Sequence, residues 1–233
     1  MDESTSKAIQ ETAKTTGKGI DTVNKFGSWI APFIDGSLKQ VCGLVEDKLK
    51  YYRWSNQVDL MTKADKKIKE LGLENKIKPL PLKIAIPLIE ASSLEEDPYL
   101  KDLWVNLLVN SSSEDNDFTL ERSYISVLEQ FSSFEAKVLN TIYECWNSGG
   151  NLLNEPMMLT SHLPDGVIYA PPKNSLEAAL RQEEYQEPSD DVKLALANLV
   201  RLQCIQLPTR RGSESYTHIF PTLFGAKLVE AVS

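Results

Sequence analysis

The sequence has few of the residues that usually build metal and catalytic sites. Its two histidines, His162 and His218, each lack a second ligand at metal-binding spacing. Its three cysteines are far apart and form no CxxC pair, which indicates reduced thiols and neither a disulfide framework nor a zinc site. A G-x-S-x-G nucleophile motif and a glycine-rich phosphate loop are also missing. We therefore expect a non-enzymatic protein with no metal, cofactor or small-molecule substrate.

Long apolar runs are missing too. Residues 26 to 45 are interrupted by Pro32, Asp35 and Lys39, so they fall short of the roughly 20 apolar residues that a membrane span requires. The N-terminal start "MDESTSKAIQ" is acidic and polar, unlike a secretory signal. We expect a cytoplasmic protein, and peripheral attachment to the inner membrane through an interfacial helix stays open.

The composition is that of a globular protein, and its charged residues are unevenly distributed along the chain. The 233 residues are 42% hydrophobic and 25% charged, enough for one large domain or two small ones. Residues 39 to 83 contain 11 Lys and Arg against 6 Asp and Glu, whereas residues 84 to 233 contain 10 against 22. The basic segment is either a solvated or internally packed helix face, or a contact surface for anionic lipid or nucleic acid. The candidate membrane or anion contacts are Lys48, Lys50, Arg53, Lys63, Lys66, Lys67 and Lys69.

The N-terminal half is predicted to be helical in two regions. Residues 1–37 form a glycine-containing amphipathic segment, whose weak apolar repeat is broken by glycines and a proline and needs a partner surface to become ordered. Residues 38–118 form a helical core region, in which an apolar face continues to Leu71 and Gly72 stops the helix. Between Gly72 and Pro87, the three prolines of "LENKIKPLPLKIAIP" then predict an extended connection that leads into a short helix.

The stretch "PLIEASSLEEDPYLKDLWVNLLVN", residues 87 to 110, contains five acidic side chains and raises the question of a catalytic or metal site. Two helix starts fit it: a capping box from Ser93 to Glu96, or Asp97 as the N-cap before a proline. Either start places acids at the positive end of a helix dipole, where capping explains them without catalysis. The helix then buries a broad apolar face, and a polar loop at residues 111 to 117 is predicted to end it.

The same stretch resembles a known family. The run from Pro81 to Asn110, P-L-K-x-x-x-P-L-I-E-x-x-S-L-E-E-D-x-x-L-x-D-L-W-x-N-L-L-x-N, resembles the core of the Abi-alpha family of bacterial abortive-infection proteins. An R-W-x-N element upstream and segments at 123–142 and 222–232 are also similar to it. The resemblance spans roughly residues 17 to 232 and implies phage defence, with no catalytic residues to transfer. The family-motif residues, which we interpret as structural, are Arg53, Trp54, Asn56, Pro87, Glu90, Asp97, Asp102, Trp104, Asn106 and Asn110.

Residues 119–233 are predicted to form a winged-helix-like α+β domain with a small two-stranded hairpin. Helices come first along the chain and two short strands follow them, which is the element order of a winged helix. The second helix is apolar, with Val192, Leu194, Ala195, Leu196, Leu199, Val200 and Leu202. The predicted elements are helices at 134–146 and 191–203, strands at 204–208 and 216–221, and a last helix from Thr222.

A winged helix raises the alternative of a nucleic-acid-binding regulator. A recognition helix should present Arg, Lys, Asn or Gln to base edges. The candidate helix instead begins with Asp190 and Asp191, and only Arg210 and Arg211, between the two strands, suit a phosphate contact. We therefore predict a mainly α protein that acts in phage defence through a protein partner, self-association or a membrane surface.

Overall fold

The computed structural model describes residues 34–35, 50–115, 121–148, 157–169, 186–208 and 215–233. The chain forms two compact units, Met1–Arg122 and Ser123–Ser233. The sequence places this boundary after residue 118. Most of the predicted amphipathic segment, and residues 38 to 49 of the predicted helical core region, lie outside the described residues.

The first unit is a small helical assembly. Strands β1 and β2 pair in parallel, with Ile34 opposite Leu80. Helix α1 packs against both α2 and α3. On α1 the buried residues Leu60, Ala64 and Ile68 recur every four positions, so they form a single stripe against the other two helices. The elements are β1 (Ile34–Asp35), α1 (Lys50–Glu70), β2 (Leu80–Pro81), α2 (Leu82–Leu94) and α3 (Pro98–Ser112).

Helix α1 ends at the predicted glycine in a Schellman motif. Gly72 has a positive φ of 65°, and its N–H donates to the Lys69 carbonyl over 3.2 Å. The Leu73 N–H donates to the Ile68 carbonyl over 2.9 Å, and both of these side chains are buried. Leu71 lies between them and is 52% exposed, so its predicted place on the buried face is wrong. The turn gives the core position to Leu73 instead.

The short helix predicted after the proline-rich connection is α2, but it begins at Leu82 and contains Pro87, so the extended connection is shorter than predicted. A proline inside a helix removes one backbone hydrogen bond and costs about 3 kcal/mol. The neighbouring side chains Ile84, Leu88 and Ile89 are each 7% exposed or less. Their burial contributes roughly 1.5–3 kcal/mol per side chain, which is enough to offset the cost of the proline.

The start of α3 decides between the two predicted caps. Asp97 is the N-cap, and its Oδ1 accepts hydrogen bonds from the N–H groups of Tyr99 (2.9 Å) and Leu100 (3.1 Å). Ser93 instead lies at the end of α2, where its hydroxyl donates to the Glu90 carbonyl over 2.7 Å. The Asp-Pro start is therefore the one the fold uses.

The end of α3 is not the exposed loop that its serines predict. The helix continues to Ser112, and Ser111, Ser112 and Ser113 are each 1% exposed or less. The Lys78 N–H donates to the Ser112 carbonyl over 2.6 Å, so the chain after α1 crosses this end of the helix. Residues 114 and 115 are exposed and begin the loop two to three residues later than predicted.

In its described residues, the second unit combines four helices with a small antiparallel sheet. The sheet order is β4–β3–β6–β5, with Met158 opposite Ile219 and Gln206 opposite Phe220. The predicted helices and the predicted pair of strands are all present, whereas β3 and β4 were not predicted. The elements are α4 (Arg122–Leu128), α5 (Ser133–Ser148), β3 (Met158–Leu159), β4 (Ile168–Tyr169), α6 (Asp190–Arg201), β5 (Ile205–Gln206), β6 (His218–Pro221) and α7 (Leu223–Val232).

The mainly α class with a small sheet is confirmed, and the winged-helix assignment stays a prediction. In the order of the chain, α6 leads directly into β5, which pairs with β6 before α7 begins. Met158, Leu159, Ile205 and Ile219 bring the sheet into the core, since each is 1% exposed or less. In this unit β5 packs against α6 and β6 packs against α5, and α7 packs against α5.

Candidate functional site

Two sets of predicted site residues meet along one face of the first unit. The Lys63 Nζ lies 2.7 Å from the Asp102 Oδ1, and the Lys67 Nζ donates to the Asn106 Oδ1 over 2.5 Å. Both pairs are 39 residues apart and each step is one helical turn, so α1 and α3 run in the same direction here. We call these two pairs the α1–α3 ladder. The sequence identified all four residues but not their pairing.

The two pairs of the ladder differ in their exposure to solvent. The Asp102 side chain is 61% exposed, so its ion pair with Lys63 is a surface contact of small energy. Burial lowers the pKa of Lys67 below its ordinary value of 10.5, against the opposing charges of Glu70 and Asp102. Lys67 meets the neutral amide of Asn106, which satisfies a donor without neutralising its charge. This arrangement positions two helices and leaves Lys67 partly desolvated.

A second polar cluster joins three elements of the other unit. The Tyr143 hydroxyl lies 2.7 Å from the Cys204 carbonyl and 2.9 Å from the Thr222 carbonyl, and it accepts from the Thr222 N–H over 2.9 Å. The Thr222 side chain caps α7 by accepting from the Gly225 N–H over 3.0 Å. Burial raises the pKa of both Tyr143 and the Cys204 thiol to about 12. Both groups therefore stay protonated at neutral pH, and Cys204 is a poor nucleophile.

A shallow groove of about 360 Å³ lies between the start of α5 and α6. Leu194, one of the apolar residues of the second predicted helix, is 71% exposed there. The 3.6-residue period places Val192, Ala195 and Leu199 on the buried stripe and leaves Leu194 outside it. We call this feature the α5–α6 groove, and it is lined by Ser132, Phe134, Glu135, Asp191, Leu194 and Ala195.

A hydrogen-bonded network fixes the walls of this groove. Ser132 and Glu135 form a capping box: the Ser132 N–H donates to the Glu135 Oε2 over 2.6 Å, and the Glu135 N–H donates to the Ser132 Oγ over 3.2 Å. The Glu135 Oε1 also accepts from the Asn198 amide of α6 over 2.6 Å. Arg201 completes the network with a bond to the Gln130 side chain over 3.0 Å. The groove is thus rigid, and of its two carboxylates Glu135 is the one engaged in this network.

Chemical sites of other kinds are not found in the described ranges. Among those residues, no group of three or more His, Cys, Asp or Glu side chains is placed to hold a metal ion. None of the described helices is long and apolar enough to cross a membrane. His218 is 4% exposed and its ring packs edge-on against Phe220 at 6.2 Å, whereas His162 is exposed on a turn.

Comparison with family models identifies the chain. The model described as abortive infection alpha matches residues 55–232. The chain belongs to the abortive infection alpha family. No curated protein and no solved structure matches it. Family membership confirms the resemblance drawn from the motif and suggests a role in abortive infection, which is a form of phage defence.

Some motif residues of this abortive infection alpha protein contribute to the packing of the first unit, and the structural role of the whole set stays a prediction. Trp104 is 1% exposed in the core, and Asn56 donates to the Ser93 carbonyl over 3.0 Å, which ties α1 to the end of α2. Glu90 is exposed and Asn110 is half-buried. Arg53 and Trp54 precede the matched range, and the Trp54 side chain lies outside the described residues.

The candidate anion contacts are dispersed in the described structure. Lys63 and Lys67 face α3, whereas Lys66 and Lys69 are exposed, with Lys66 3.7 Å from Glu70 on the same helix. The Arg53 Nε is buried without a hydrogen-bond partner among the described residues. An anionic contact at these positions stays a prediction. Lys48, Arg210, Arg211 and the Lys50 side chain lie outside the described part of the chain.

Proposed function

We propose that this abortive infection alpha protein defends bacteria against phage through protein contacts and without catalysing a reaction. The single observation that carries the defence role is the family match over residues 55–232. The contact mode rests on the α5–α6 groove, where an exposed leucine lies beside the Asp191 carboxylate on a rigid base. Exposed apolar surface bordered by polar groups is typical of a protein interaction site.

The proposal without catalysis is supported by what the reactive groups do. Asp97 caps a helix, Asp102 pairs with Lys63, and Tyr143 hydrogen-bonds to backbone groups. The Cys204 thiol is fully buried and its pKa is raised to about 12. Each of these groups has a structural task that accounts for its position. The acidic start of α6, with Asp190 and Asp191, also favours a protein over the phosphates of a nucleic acid.

The test is a phage challenge of bacteria that express the chain. A culture infected at a low phage-to-cell ratio should survive, whereas a culture infected at a high ratio should collapse, because infected cells die and spare the rest. Leu194→Asp should abolish protection, since it places a charge on the contact surface at an exposed position. Lack of protection against every phage of a broad panel would contradict the defence role.

Asp102→Asn is the matched variant for the enzyme alternative. It removes the charge of an exposed carboxylate and keeps its shape, so the fold should persist with a loss of at most about 1 kcal/mol. We expect protection to be retained. If protection disappears while the thermal stability of Asp102→Asn equals that of the unmodified chain, Asp102 has a chemical role and the proposal without catalysis fails.

A further inference from the structure

The exposed end of α1 presents a leucine next to charged side chains. We call this end the α1 tip and define it by Lys66, Lys69, Glu70 and Leu71; Lys66 lies 3.7 Å from Glu70, and two lysines against one glutamate leave the tip with a net positive charge. Leu71 is 52% exposed and the Lys66 side chain is 77% exposed. The Schellman motif after α1 fixes the backbone on both sides of Leu71. The leucine is therefore presented in a defined position, which reduces the entropy lost when it is buried by a partner.

The groove has the complementary features. Leu194 and Phe134 supply apolar surface, and Asp191 supplies an exposed carboxylate at its edge. Glu135 adds a second carboxylate to the lining, although it is already bonded to Asn198. Carboxylates at this edge repel phosphate groups and attract ammonium groups. An apolar side chain with a lysine nearby, such as Leu71 with Lys69, suits this surface better than a nucleic acid or an anionic lipid does.

The charge of the chain points to a second copy as the partner. The basic excess lies in residues 39 to 83, which include the α1 tip, and the acidic excess lies in residues 84 to 233, which include the groove. We propose that the chain self-associates head to tail, with the α1 tip of one copy bound in the α5–α6 groove of the next. Leu71 then packs on Leu194, and Lys69 approaches Asp191.

This contact joins two different surfaces, so each bound pair retains one free tip and one free groove. Such a heterologous contact builds rings or open chains instead of stopping at a symmetric dimer. Because both surfaces are small, we expect weak association, with a Kd of about 1 to 100 µM. The association becomes strong only when many copies are held together. The inference rests on the proposed function in taking self-association as the protein contact through which the chain acts.

Two single variants test the arrangement by complementation. Leu71→Asp disables the apolar contact of the tip, and Leu194→Asp disables that of the groove. Both positions are more than half exposed, so both variants should fold. Analytical ultracentrifugation across a concentration series should show self-association of the unmodified chain and at least about a tenfold weaker association of each variant alone. An equimolar mixture of the two variants should form a dimer and nothing larger, because it contains one intact tip and one intact groove per pair.

Charge exchange tests the register of the contact. Asp191→Lys alone and Lys69→Asp alone should each weaken self-association by about tenfold, and the double variant should recover it. A matched control is Leu223→Asp, since Leu223 is 76% exposed and lies outside both surfaces. It should associate like the unmodified chain.

Each other outcome overturns the inference. If the unmodified chain is monomeric at every concentration, the tip does not bind the groove. The same follows if the mixture of the two variants stays monomeric. A dimer that survives both leucine substitutions shows a different interface. The phage challenge separates this failure from that of the proposed function: protection by a monomeric chain would remove the head-to-tail contact alone, and association without protection would remove the defence role alone.

Discussion

Gly225 lies in the first turn of α7 against the polar cluster of Tyr143. Replacing it with alanine sets the gain in helix propensity against the steric cost of an added Cβ. In an exposed helix, Gly→Ala stabilises by about 0.8–1.0 kcal/mol. At position 225 an added Cβ would lie 2.1 Å from the Cys204 carbonyl oxygen and 2.2 Å from the Tyr143 hydroxyl. The Cys204 carbonyl belongs to the backbone, so relieving its clash with the added Cβ requires a shift of α7 or of the chain at β5. Forced overpacking of a buried site costs about 1–3 kcal/mol.

The displaced hydroxyl adds to this cost. Tyr143 is 1% exposed and bonds to backbone groups of both Cys204 and Thr222, and a buried polar group left without its partner costs about 1–3 kcal/mol. With the helix propensity subtracted, we expect Gly225→Ala to lower the free energy of unfolding by about 3 kcal/mol. Urea denaturation measures the loss, and hydrogen exchange of peptides from α5 and α7 shows that it arises in the second unit.

Two further variants serve as controls for Gly225→Ala. Gly166→Ala introduces a Cβ with no neighbour within 4 Å, so its effect should stay within about 0.5 kcal/mol. Tyr143→Phe removes the hydroxyl, which is one of the three atoms within 3 Å of the added Cβ, so the cost of Gly225→Ala should be smaller in that background than in the unmodified chain. If Gly225→Ala is as stable as the unmodified chain or more stable, helix propensity prevails and the described packing of α7 on Tyr143 is incorrect.

Three further predictions concern caps and charge. Asp97→Ala should cost about 1 kcal/mol because two backbone N–H groups lose their acceptor, whereas Ser93→Ala should cost less than about 0.5 kcal/mol; equal losses in urea denaturation would contradict the assigned cap. Gln203→Gly should stabilise by about 1 kcal/mol, since Gln203 has a positive φ of 61°, and a lower thermal midpoint would refute this. Lys67 has a folded pKa below its unfolded value of 10.5, so the unfolded state binds more protons between these two values and stability rises with pH there. The rise should be missing in Lys67→Met, and identical alkaline profiles of the two proteins would show that Lys67 is not desolvated.

Regular, strongly patterned elements were predictable from the sequence. The apolar repeat of α1, its glycine stop, the helices α5 and α6 and the β5–β6 pair all follow local rules of periodicity and capping. The strands β3 and β4 have two residues each, which is too short to show an alternating pattern. The proline within α2 was misjudged because burial of its neighbours, which is a tertiary effect, outweighs the local penalty.

The candidate site was predictable in its members and not in its geometry. Lys63, Lys67, Asp102 and Asn106 were all selected from the sequence, but a 39-residue separation carries no signal that two helices run side by side. The groove was missed because Leu194 belongs to an apolar helix, and an apolar residue is assigned to the core by default. Its distance from the stripe of Val192, Ala195 and Leu199 was the available signal, since a helical position two residues after a buried one faces away from it.

Two of the four exposed leucines among the described residues, Leu71 and Leu194, lie on the surfaces that we propose as contacts. Within the family motif, Asn56 bonds to the end of α2, Asp97 caps α3 and Asp102 pairs with Lys63, so these side chains stabilise the packing of α1, α2 and α3. A single exposed leucine is common on protein surfaces, so exposure alone does not mark a contact. Leu194 differs because it lines a groove together with the Asp191 carboxylate, and Leu71 differs because a Schellman motif fixes its backbone next to Lys69. We therefore propose that these motif residues support the first unit and that the contact surfaces lie at positions outside the motif.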